Sequence, residues 1–201
     1  MINTLWMAMM TSALVIATFA PAAAEELSYE RLISAWENKS GEVITPAVQK
    51  AALRATAEDF LSKTSGARVR EETRAGIAAA IGAAGLVAVS PDSVTARWSS
   101  GEVNLKWDSV EENAVVAKAL QPELVSLHLE QFPRVTVVVK PVPPIDYLVE
   151  INGENVEATE KGFYRVSIGD VVVRVTRKRH SECLWKGTLK EGDQQVVNCK
   201  L

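Results

Sequence analysis

The chain has 201 residues, with 22 Lys and Arg against 25 Asp and Glu and a formal net charge of −3. That length holds one medium domain or two small ones. Charges of both signs are mixed along it, without the basic footprint that a nucleic-acid partner leaves, so no nucleic-acid partner is expected.

The opening stretch "MINTLWMAMMTSALVIATFAPAAAEEL" carries no charged side chain before Glu25. An apolar run from Leu5 to Phe19, then Pro21, Ala22 and Ala24, has the form of a secretory signal cut after Ala24. Its only positive charge is the α-amino group, and an uncleaved anchor is the rival reading. The run is shorter than the roughly 20 residues that span a bilayer. Cleavage leaves a periplasmic or secreted bacterial protein with no transmembrane span, and no cysteine near the cut offers a lipid anchor.

Three helices come next. "SYERLISAW" places Tyr29, Leu32, Ile33 and Trp36 on one stripe, with Ser28 as cap. "TPAVQKAALRATAEDFL" starts with Thr45 as cap and Pro46 at the first helical position, and stripes Leu53, Ala57, Phe60 and Leu61. "ARVREETRAGIAAAIGAAG" stripes Thr73, Ile77, Ala80, Ile81 and Ala84 and reaches Gly85 as a C-cap. Its small residues from Gly76 onward suit close packing against a neighbouring helix or sheet.

Past the turn "SPDS", the stretch "VTARWSSGEVNLKW" reads as a hairpin with a two-residue loop at Ser100-Gly101. That loop opposes Trp98 to Val103, Ala96 to Leu105 and Val94 to Trp107, all on one buried face. "SVEENAVVAKAL" is a helix with a capping box of Ser109 and Glu112. "LVSLHLE" alternates Val125, Leu127 and Leu129 inward, as a strand that can pair with "RVTVVVK".

The remaining third reads as short strands with close turns. "RVTVVVK" alternates Val135, Val137 and Val139 before a "PVPP" break. "YLVEINGENVEA" has an Asn152-Gly153 hairpin turn that opposes Val149 to Val156 and Tyr147 to Ala158. "FYRVSIGDVVVRV" suits a turn at Gly169-Asp170 that opposes Ile168 to Val171, Val166 to Val173 and Tyr164 to Val175. In the tail, a three-residue "KEG" loop with Gly192 left-handed makes "WKGTL" and "QQVVN" a hairpin and sets Cys183 opposite Cys199. Opposed residues lie within disulfide reach, and a disulfide suits an exported chain. Free thiols or a metal site are the alternatives, and two cysteines without a nearby histidine pair make a poor zinc site.

The pieces "VTVVVKPVPP", "YLVEING", "YRVSIGDVVVRVT" and "GTLKEGDQQVVNCKL" together resemble a PEGA domain over about residues 134–201. The usual Gly-x-Thr-Pro step is replaced by "VEATEKG", and the Gly-Tyr after the valine-rich strand by "RKRHSEC". The resemblance implies an envelope-associated β-sandwich used as an accessory or binding module, and it brings no shared catalytic residues. The N-terminal half resembles no family. The expected fold class is α+β: N-terminal helices with a β-hairpin over residues 25–130, then a small all-β sandwich.

Chemistry is sparse. His128 falls on the polar face of its expected strand, and Arg174, Arg177, Lys178, Arg179 and His180 form the only basic cluster, a contact for an anionic partner or a solvated strand end. No nucleophile elbow, zinc-protease helix, phosphate loop or dinucleotide fingerprint is present. No catalytic residue, metal or cofactor is therefore assigned. The expectation is a non-enzymatic exported envelope protein that binds an envelope protein or glycan. A disulfide-stapled inhibitor or accessory subunit of an envelope hydrolase, with Lys190 to Gly192 as its wedge, is the alternative. An enzyme using His128 or His180 with a remote carboxylate is a third.

Overall fold

A computed structural model describes residues 25–120, 129–140, 147–177 and 182–201. The signal segment, His128, Lys178, Arg179 and His180 lie outside the described residues. The fold is α+β, and among the described residues the buried apolar side chains form two clusters, one helical with a sheet and one between two sheets.

The first cluster is built by helices α1 (Tyr29–Ser40), α2 (Pro46–Lys63), α3 (Glu71–Gly82) and α4 (Val110–Ala119). They accompany an antiparallel sheet of β1 (Glu25–Ser28), β3 (Leu86–Val89), β4 (Ser93–Trp98) and β5 (Gly101–Lys106), in the order β1-β3-β4-β5. The expected hairpin, β4–β5, is thus one side of a larger sheet, with β5 at its edge. Ser28 caps α1 by accepting from the Arg31 N–H, and Ser109 caps α4 by accepting from the Glu112 N–H. Thr45 precedes α2 with Pro46 at its first turn but makes no side-chain cap. Tyr29, Ile33 and Trp36 are buried on α1, Leu53 and Phe60 on α2, and Thr73, Ile77, Ala80 and Ile81 on α3.

The end of α3 differs from expectation by one residue. Ala84, not Gly85, takes the left-handed conformation, with φ 54°. Its N–H donates to Ile81 O and that of Gly85 to Ala80 O, the paired bonds of a Schellman motif. Glycine is needed at 85 for space: a Cβ there would stand 2.1 Å from the Arg97 carbonyl oxygen of β4. Gly85→Ala is expected to cost about 3 kcal/mol through this overpacking, read as a fall in the urea midpoint. An unchanged midpoint would show that the α3–β3 connection yields freely. Earlier in α3, a Cβ on Gly76 would meet the Val103 side chain at 3.0 Å, so the small-residue stretch of α3 packs closely onto β5.

The β4–β5 hairpin keeps its buried face but shifts its register by two. Trp98 opposes Gly101, Ala96 opposes Val103 and Val94 opposes Leu105, which leaves Ser99 and Ser100 as the loop. The Trp98 ring lies where a Gly101 side chain would be, and a Cβ there would stand 2.3 Å from the indole. Covering a strand glycine with an aromatic ring favours this register over the expected one.

The second cluster lies between two four-stranded sheets, a β-sandwich-like arrangement. One sheet is β11 (Cys183–Leu189), β10 (Gly169–Arg177), β7 (Tyr147–Ile151) and β8 (Glu154–Val156), in that order. The other is β12 (Gln194–Lys200), β6 (Arg134–Lys140), β9 (Phe163–Arg165) and β2 (Val43–Ile44). The β7–β8 hairpin turns at Asn152-Gly153, both at positive φ, and opposes Val149 to Val156 as expected. Tyr147 and Ala158 do not pair, because β8 ends at Val156.

Three expected pairings are replaced. "FYR" and "GDVVVRV" are not a hairpin: β9 lies in one sheet and β10 in the other. Gly162, at φ 60°, accepts from the Val137 N–H, and a Cβ on it would meet the Val137 oxygen at 2.3 Å. That contact pins β9 to β6, and the chain crosses sheets before Gly169. Tyr164, Val166, Val171, Val173 and Val175 share the core as expected, but Ile168 is 52 % exposed at the crossing.

The tail is likewise a sheet switch. β11 pairs with β10, and β12 runs parallel to β6, with a turn from Lys190 to Asp193 between them. Cys183 and Cys199 are joined as expected, at a Cα separation of 5.6 Å, but their bond links the edge strands of opposite sheets. Finally, Leu129 and Glu130 are helical and not strand, although Leu129 is buried. β6 has β12 on one side and β9 on the other; the rest of "LVSLHLE", with Val125 and Leu127, lies outside the described residues.

Candidate functional site

Alternation along β7, β10 and β11 sends Val149, Ile151, Val171, Val173 and Val175 inward. The same parity sends Leu148, Glu150, Val172, Arg174, Leu184 and Lys186 to the outer face of that sheet. Leu148 is 65 % exposed and Leu184 47 % exposed, on the two strands that flank β10. Between them Arg174 ion-pairs with Glu150 at 3.4 Å and Glu182 at 3.1 Å. At the far end of β10 the Thr188 hydroxyl donates to Asp170. The face therefore offers exposed aliphatic side chains around a charge that is already matched.

That placement bears on the basic cluster. Arg174 joins β10 to β7 through Glu150 and to the residue just before β11 through Glu182, and Arg177 falls on the opposite parity of β10, at the strand end beside Tyr147. The two arginines do not share a face. The disulfide, in contrast, sits where it acts on this sheet, because Cys183 opens β11 and Cys199 closes on β12. Leu148 and Leu184 were not singled out from sequence, although outward parity beside a Val-rich inner row is a legible signal.

A second feature is an open cleft of about 400 Å³ between the end of α1 and the β8–β9 loop. Glu37, Glu42, Glu157 and Glu160 give it carboxylates and Lys161 one ammonium group. Nearby on β9, burial pushes the Tyr164 phenol up to about 12, so it packs as a neutral ring at ordinary pH. Among the described residues no group of three or more His, Cys, Asp or Glu is set to hold a metal ion. No helix among them is long and apolar enough to cross a membrane.

No family model matches the chain, and no curated protein matches its sequence.

Proposed function

We propose that the protein is a non-enzymatic, exported bacterial envelope protein whose C-terminal PEGA-like sandwich is a binding or accessory module for an envelope protein or glycan. The observation that carries this reading is the outer face of β11-β10-β7-β8, where Leu148 and Leu184 stand exposed around the neutralised Arg174. Exposed aliphatic side chains on either side of a matched charge suit a contact surface. Export is supported by the Cys183–Cys199 disulfide, since such bonds persist in oxidising compartments. The apolar stretch before Ala24 supports it too. The PEGA likeness draws support from the Asn152-Gly153 turn, the left-handed Gly169 before a valine-rich strand, and the paired sheets these strands form.

The inhibitor reading has less behind it. The Lys190–Asp193 turn is exposed, but Gly192 donates to Gln131 O and Asp193 O accepts from Arg134, so its backbone is tied down and does not stand free as a wedge.

Crosslinking capture from the protein's own cell envelope, with Leu148→Asp/Leu184→Asp beside the parent, tests the surface. The captured partner is expected to be lost with the melting temperature kept, because both side chains already face water. Equal recovery by the variant would remove this face from the proposal. The intact mass of the exported protein is expected to begin at Glu25, with two hydrogens missing at the cysteines. A mass that retains the first 24 residues, or that shows free thiols, would defeat the export argument.

A further inference from the structure

We propose that Glu42 is a coupling latch that makes the two cores open and unfold as one unit. The segment that carries it belongs to both. α1 ends at Gly41 in a left-handed conformation, and the Glu37 carboxylate then accepts from the Ile44 N–H at 2.8 Å. This directs the chain into β2, which pairs in parallel with β9 through Val43 to Tyr164 and Ile44 to Arg165. Thr45 continues the contact by donating to Arg165 O. Successive side chains on a strand face opposite ways. Val43 accordingly packs against the sandwich cluster, and Ile44 is buried in the helical one. Two residues of the N-terminal half thus complete a sheet of the C-terminal half.

Glu42 fastens this crossing. It is 5 % exposed, and its carboxylate is gripped by both Nε and Nη2 of Arg165 and by Nη1 of Arg134 at 3.3 Å. Arg165 also donates to Phe132 O at 2.6 Å and lies 5.5 Å from the Trp36 ring of α1. Arg134 lies 4.7 Å from the Phe163 ring of β9. Trp36 and Phe132 pack with the first cluster, while Arg134 and Arg165 stand on strands of the sandwich. Without the carboxylate, two guanidinium groups would face each other there with no counter-charge, and neither core would itself lose a packed side chain. A change at Glu42 therefore acts on the coupling more than on either core.

Native-state hydrogen exchange on the full mature chain tests this, with Val87→Ala as a perturbation inside the first core, where Val87 is fully buried. In coupled halves the slowest amides of β3 and β4 and those of β9 and β10 exchange in step. Val87→Ala is then expected to speed both sets by the same factor. In the Glu42→Gln background the same substitution is expected to speed the first set alone, so that the two separate by about ten-fold or more. The proposal is overturned if Val87→Ala leaves the sandwich amides unchanged in the otherwise native protein. It is equally overturned if the two sets stay in step with Gln at 42. Should Glu42→Gln fail to fold, Arg134→Ala, which removes one grip on the same carboxylate, takes its place and is expected to separate the two sets in the same direction, sets still in step overturning the proposal.

Discussion

Replacing Glu112 by Gln is expected to lower stability by about 3 kcal/mol at neutral pH, the scale of breaking a buried charge network from one side. The Glu112 side chain is 1 % exposed, at the first turn of α4. Its Oε1 accepts from the Arg70 N–H at 3.1 Å, Arg70 Nε at 3.3 Å and the Thr73 hydroxyl at 3.2 Å. Its Oε2 accepts from the Asp108 N–H at 3.0 Å. One carboxylate therefore satisfies donors at the start of α3 and at the start of α4, and ties the helices together. An amide keeps one acceptor and turns an NH₂ toward a remaining donor, so at least one buried N–H loses its partner.

The same network sets an acid limb. Burial by itself would raise the Glu112 carboxyl, but the backbone donors of Asp108 and Arg70 and the Arg70 guanidinium outweigh it and hold it below its ordinary value. A depressed folded-state value means that the unfolded chain takes up the proton first. The stabilisation is therefore complete above about pH 4.5, the unperturbed value, and is lost as pH falls through the lower folded one. Urea midpoints measured from pH 7 to pH 3 are expected to fall steeply for the parent and more gently for Glu112→Gln. Parallel curves would mean that other carboxylates carry the acid sensitivity.

Removal of the disulfide has the other large expected effect. Cys183 and Cys199 are 16 residues apart in sequence, and a loop of that size contributes roughly 3 kcal/mol by the chain-entropy argument. For a chain of this length that corresponds to a fall in melting temperature of about 10 °C. Here the bond does more than shorten a loop. β11 and β12 are edge strands of opposite sheets, joined by the Lys190–Asp193 turn at one end and by the disulfide at the other. Loss of the bond frees one end of that side of the sandwich, and freed edges invite pairing with other chains. Calorimetry of the Cys183→Ala/Cys199→Ala variant, with light scattering alongside, checks both parts. A melting temperature within one or two degrees of the parent would show that the turn and the β12–β6 ladder close the sandwich unaided.

Much of this molecule was legible from local spacing. Helix caps at Ser28 and Ser109, the stripes of α1 to α3, the Asn152-Gly153 turn and the left-handed Gly192 depend on residues within a few positions of one another. Alternation likewise identified the inward row of β10 and the buried face of β4–β5. The cysteine partners were legible because only two exist.

Pairing was decided elsewhere. Burying a valine is worth about 1.5 to 2 kcal/mol whether the strand that covers it is bonded beside it or lies opposite in the other sheet. The alternation in "FYRVSIGDVVVRV" and in the cysteine tail therefore fits a hairpin and a sheet switch equally well. The choice came from contacts distant in sequence: Gly162 against Val137, Arg134 N–H on Asp193 O, and the β12–β6 ladder. The Glu42 crossing escaped sequence reading for the same reason. Its two arginines lie 92 and 123 residues away, and a two-residue strand has no period of its own to read. What the sequence determined by itself was which way the side chains within each strand and helix face, with Ile168 at the sheet crossing the exception. Which strand lies beside which was left to tertiary contacts, because burial is non-directional and only backbone hydrogen bonds and close packing select a neighbour.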